Sequence, residues 1–153
     1  MPDLVIDPAF GGPKIGDEDV SLGVATRLAT ALSAFSVEVT RSHARIPRSE
    51  CHERLAQGRF GLALHHGQRS WAWPVLAAVA KNGGKARLAA ERIIRRLKSD
   101  FGVHGTVEVR SPDAYGALAV APQTIILYSQ LMDMDREAAS LAVAIGGILR
   151  EAC

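Results

Sequence analysis

Cysteine is scarce: only Cys51 and Cys153 occur, and their spacing makes neither a disulfide framework nor a metal-type motif. Reduced, free thiols are the expectation. No apolar run reaches the ~18 residues of a membrane-spanning helix. The opening residues lack a basic stretch leading into an apolar one, which is the mark of a secretory signal. A cytoplasmic location with no membrane contact is therefore expected. Charge of one sign is also in short supply. A formal net charge of +2 falls well below the clustered basic excess of nucleic-acid-binding domains, so nucleic acid is not an expected partner. Repeats, low-complexity tracts and linkers are missing too, and residues 1–153 are read as one domain.

What is present is an ordinary globular composition, 48% hydrophobic and 22% charged over 153 residues, enough to bury one sizeable core. Leu4-Val5-Ile6 is a short apolar run of the kind a buried parallel strand shows. Asp7-Pro8 stops it, and Gly11-Gly12-Pro13 opens the backbone to turns. Asp17 is a plausible N-cap for a helix whose buried stripe is Leu22, Ala25, Leu28, Ala29 and Leu32. Val37–Thr40 reads as a strand, and Ser49 as the cap of a short helix through Gln57. Phe60–Leu64 reads as the third strand and delivers His65 and His66 to the same sheet edge as Asp7.

The second half predicts a strand at Val75–Ala80, a helix at Lys85–Asp100 and short strands at Val107–Val109, Leu118–Val120 and Thr124–Tyr128. A last helix is expected from Asp133 to Arg150. Strands alternating with helices predict an α/β domain: a mixed, mostly parallel sheet of about six strands flanked by helices. In such sheets ligands bind at the carboxyl ends of strands.

Several short stretches, in order and near the right spacing, resemble the zinc-dependent N-acetylmuramoyl-L-alanine amidases of the amidase_3 type. Leu4 to Gly12 is similar to the family's opening strand and its Asp-Pro-Gly-His-Gly-Gly motif. Val37-Glu-Val-Thr-Arg41 resembles its second strand, Arg54 matches an arginine in the next helix, and Leu62-Ala-Leu-His65 resembles its Ser-Ile-His strand end. Leu118–Pro122 and the Ala142 to Ile148 stretch resemble the later strand pair and closing helix. The resemblance implies a zinc site of histidine, glutamate and histidine, with a catalytic glutamate ending a late strand.

Here those positions carry Phe10, Asp17, His65 and Tyr128. Phenylalanine has no lone pair to give, and neither Tyr128 nor a neighbouring leucine can shuttle a proton as a carboxylate does. His65 is the one outright match, with Asp17 a possible second ligand. His66 is the other candidate, although neighbouring strand residues face opposite ways unless the strand end bends. His52 is read as solvated, and Cys51 beside it is not a promising nucleophile. Trp71 and Trp73 alternate on an extended stretch; they either stack on a sugar or partner, or cover the sheet edge as core.

The reading that follows is a catalytically degenerate amidase-like domain kept as a binding or assembly module, with no cofactor expected. Phe10, Asp17, His65, His66, Trp71, Trp73 and Tyr128 are its candidate binding residues, and its expected partner is a protein or a second copy, with peptidoglycan fragments as another possibility. The alternative is an active amidase with a rearranged zinc site, cleaving the N-acetylmuramoyl–L-alanine bond. Release by a lysis system, or trimming from an exported protein, is then the alternative to a cytoplasmic location.

Overall fold

The computed structural model describes residues 1–41, 44–67, 73–111 and 116–152. Its central sheet has six strands: β1 (Leu4–Pro8), β4 (Val37–Val39), β5 (Phe60–His66), β6 (Val75–Ala80), β7 (Gly105–Arg110) and β8 (Thr124–Ser129). Their order is β4-β1-β5-β8-β6-β7. Four of them run parallel, while β6 is antiparallel to β8 and carries β7 alongside it. The expected mixed, mostly parallel α/β sheet is what forms.

Period-two alternation divides the core. Leu4, Ile6, Leu62, Leu64, Ile125 and Leu127 face one side, where α1 (Val20–Ala31), α3 (Ala86–Phe101) and α5 (Met134–Ala152) cover them. Val5, Ala63, Ile126 and Tyr128 face the other, against residues of α2 (Arg48–Gln57) and α4 (Gly116–Val120). Since β1, β4, β5 and β8 are parallel, their carboxyl ends share one edge. Asp7, His65 and Tyr128 follow the α2/α4 side of the alternation, and His66 follows the α1/α5 side.

Three local expectations are corrected. Asp17 is not the cap of α1; Asp19 is, its carboxylate accepting from Leu22 N–H at 3.0 Å. Lys14–Ile15 (β2) and Glu18–Asp19 (β3) pair as a small antiparallel hairpin. Gly16 and Asp17 make its two-residue turn, with Gly16 at φ +61 in the left-handed conformation that such turns demand. Ser49 does not cap α2, because the helix already begins at Arg48 after Pro47. Leu118–Val120 is helical, not a strand. Ala and Leu are good helix formers, Ala121 N–H closes onto Ala117 O at 2.8 Å, and Pro122 prevents extension.

Arg87, Arg95, Arg96 and Lys98 lie on the water-facing side of α3, with Arg92 half-buried beside them. Arg87, Arg92 and Arg96 are paired to Glu91, Glu151 and Asp100. No helix is long and apolar enough to cross a membrane among the described residues.

Candidate functional site at the strand ends

The parallel strands end in a glycine loop. After β1 the chain runs through Ala9, Phe10 and Gly11, with Gly11 at φ +83. Arg41, directly after the Thr40 that continues β4, holds this loop in place. Its buried guanidinium donates to Pro8 O at 2.8 Å, to Ala9 O, and lies 3.4 Å from the Asp19 carboxylate. Arg41 Cζ also stands 5.3 Å from the centre of the Phe10 ring, within cation–π range. Phe10 is thus pinned by its neighbours yet 55% exposed, a large apolar face turned to water.

Two openings meet at this loop. The smaller, of about 220 Å³, is lined by Ala9–Gly12, His65–Gly67, Tyr128 and Ser129. The larger, of about 720 Å³, spreads over the α2/α4 side, where Asp7, His65, Ile126 and Tyr128 meet Arg45, Arg48 and His52. That size is within the usual range for small-molecule sites. His65 and Tyr128 are register partners across β5 and β8, their rings tilted at 39° with centroids 5.2 Å apart.

Asp7 is committed to its surroundings. Thr40 Oγ1 donates to it at 2.7 Å. Burial, and then the Asp7 charge beside it, push the Cys51 thiol up to about 11. A thiol held protonated is a poor nucleophile at neutral pH. His52 is not the solvated residue expected; it is half-buried against the cleft, and that burial lowers its pKa.

His66, a candidate binding residue from the sequence, lies at the strand end as expected but turns its side chain into the protein. Its side chain is fully buried, with Nδ1 2.8 Å from Ser21 Oγ and Nε2 at 2.8 and 3.1 Å from the two oxygens of Glu137. This Ser21–His66–Glu137 chain ties the start of α1, the end of β5 and the first turns of α5 together. Ser21 and Glu137 are themselves buried, so the serine has no face open to a substrate.

The ligand positions do not fit a catalytic zinc, which needs three protein donors and an open place for water. Phe10 offers no donor, and Asp17 lies exposed in the hairpin turn. Among the described residues no three of His, Cys, Asp and Glu gather closely enough to hold an ion. Trp71 lies outside the described residues. Trp73, 39% exposed, precedes β6 at the end where Val75 pairs with Ser129; it shares the sheet edge but lines neither opening.

Comparison with known proteins bears on the fold. No family model matches the chain, and no curated protein does. Solved structures do. The chain superposes on an N-acetylmuramoyl-L-alanine amidase from Clostridium difficile 630 with a TM-score of 0.75 at 17% identity, covering 98% of this chain and 97% of that one. The fold is that of N-acetylmuramoyl-L-alanine amidases. The catalytic domain of the amidase CwlV from Bacillus (Paenibacillus) polymyxa gives 0.74 at 16% identity, with 98% and 99% covered. The amidase CwlD from Clostridioides difficile, solved in complex with the GerS lipoprotein, gives 0.74 at 12% identity, with 99% and 100% covered. The amidase fold is therefore kept from end to end, at identities that speak to fold alone.

Proposed function

We propose that this chain is an amidase-fold domain that has lost hydrolysis and serves as a binding or assembly module. The observation that carries the proposal is the make-up of the strand ends. Where the resemblance puts two metal ligands and the catalytic carboxylate, the chain has exposed Phe10, exposed Asp17 and buried Tyr128. Those residues turn a polar reaction centre into an aromatic-rimmed cleft. Phe10 and Trp73 are large, partly exposed aromatics at the same sheet edge, and such residues supply interface hot spots. The expected partner is a protein or another copy of this chain, with peptidoglycan fragments as the other candidate. That an amidase of this fold has been solved with a lipoprotein bound supports a protein partner.

The test is chemical first. Protein purified without added metal should carry zinc far below one equivalent by elemental analysis and release no L-alanine peptide from muropeptides above background. One equivalent of zinc, lost in His65→Ala and accompanied by muropeptide cleavage, would overturn the reading. Sedimentation and pull-down of wild type beside Phe10→Ala, Trp71→Ala and Trp73→Ala then locate the interface. Loss of a buried aromatic anchor should cost ~2 kcal/mol or more of binding, about thirtyfold in affinity.

A further inference from the structure

The larger cleft is electrically lopsided. Among the described residues its lining brings Arg41, Arg45 and Arg48 together with one carboxylate, Asp7. Arg41 is spent on Pro8 O, Ala9 O and Asp19, and Asp7 on Thr40. Arg45 and Arg48 are different. Both are exposed, Arg45 just before α2 and Arg48 at its first residue, and among the described residues neither forms a salt bridge. The nearest acid along that helix, Glu50, is paired at 2.9 Å with Arg54, which also donates to Thr40 O. Two guanidinium groups are thus left with their forks open at the mouth of a cleft of about 720 Å³.

The lining also includes the apolar or aromatic side chains of Phe10, Ile46, Ala117, Ile126 and Tyr128, beside Cys51, His52 and His65. Low-dielectric walls strengthen the field of charges at a cleft mouth, and arginine's planar fork matches the two oxygens of a carboxylate or phosphate. His52, half-buried with a lowered pKa, adds a ring that can donate or accept a hydrogen bond at neutral pH.

We propose that this cleft binds a small organic oxyanion, a carboxylate or phosphate monoester joined to an aromatic or apolar body. Arg45 and Arg48 take the anion, and the floor of Ile126 and Tyr128, with Phe10 at the rim, takes the body. The proposal rests on the binding-module reading only in treating the strand-end cleft as a place where ligands dock.

The experiment is an amide-resolved NMR titration of metal-stripped, dialysed protein with three probes: phenyl phosphate, benzoate and uncharged benzyl alcohol. Saturable shifts are expected at Ala9–Gly11, Ile46–His52 and Gly116–Ala117 with one or both anions, and the tighter of the two identifies the oxyanion. Benzyl alcohol should bind about tenfold more weakly or worse, and Arg45→Gln/Arg48→Gln should weaken the anions by about tenfold while leaving the rest of the spectrum in place. Added salt should weaken them as well. Equal affinity for benzyl alcohol, an unchanged affinity in the double variant, or no saturable shift with either anion would overturn the site. Zinc binding or muropeptide cleavage would overturn the binding-module reading and leave this titration untouched, so the two failures are distinguishable.

Discussion

Glu137→Ala is the substitution whose consequence the structure defines most sharply. The Glu137 carboxylate is fully buried and meets His66 Nε2 through both oxygens, while His66 Nδ1 meets Ser21 Oγ. Truncation leaves a buried imidazole nitrogen without its partner, in a place water does not reach. Breaking a buried pair from one side costs ~3–5 kcal/mol, far more than the alanine gains in helix propensity. For a domain of this length that is a fall in melting temperature of roughly 6–20 °C. His66→Ala should cost a similar amount. Replacing both Glu137 and His66 with alanine removes the orphaned imidazole and leaves only the small Ser21 hydroxyl to find a new acceptor, so the double variant should lose clearly less than the sum of the two singles. Thermal melts by circular dichroism and urea denaturation of the single and double variants give the coupling directly. Single losses below ~1 kcal/mol, or a double variant equal to the sum of the singles, would refute a tightly coupled buried network.

Two further outcomes follow from the same site. In a Cys153→Ser background, Cys51 should react with iodoacetamide at pH 8 on the order of a hundredfold more slowly than an unperturbed thiol, because its pKa is raised from 9.0 to about 11. A thiol whose folded pKa is raised binds its proton longer in the native state, so its contribution to stability is intact below pH 9 and lost as pH rises from there through about 11; urea midpoints across that window check it. Asp19→Ala removes the α1 cap and the carboxylate beside Arg41, and should lower stability by ~1 kcal/mol or somewhat more. Asp17→Ala, in the exposed turn, should change it by less than ~0.5 kcal/mol.

Much of the fold was legible because burial imposes a period. The apolar runs at Leu4–Ile6, Phe60–Leu64 and Thr124–Tyr128 are strands in the structure, and the helical stripes of α1, α3 and α5 are buried broadly as spaced. What escaped was set by local competition. Gly16-Asp17 carries the signal of a two-residue hairpin turn, but the paired segments hold only two residues each, too short to show alternation. Gly116–Val120 is too short for its period to separate helix from strand. The buried network had a signal that went unread. Glu137 lies four residues before Leu141, on the inward stripe of α5, and Ser21 lies on the inward stripe of α1 with Val24, Ala25 and Leu28. A carboxylate and a hydroxyl on inward stripes require a polar partner, and His66 was the one histidine that strand alternation turned their way.

Two adjacent histidines with opposite fates explain how the cleft keeps its shape. β5 stays paired with β8 through His65↔Tyr128 and His66↔Ser129, so there is no strand-end bend to swing both rings to one side. The two imidazoles therefore face opposite layers and do not share an ion. His66 joins Ser21 and Glu137 to fasten the α1/α5 side, and His65 packs on Tyr128 to floor the cleft. On the opposite flank Arg41 holds the Pro8–Phe10 loop by its own backbone oxygens. These contacts fasten the strand ends from both layers of the sheet. Exposed Phe10, and Arg45 and Arg48 without a salt bridge among the described residues, are the groups at the cleft mouth on which the proposed recognition role rests. At the late-strand position where the resemblance puts a proton-transferring carboxylate, the chain carries Tyr128.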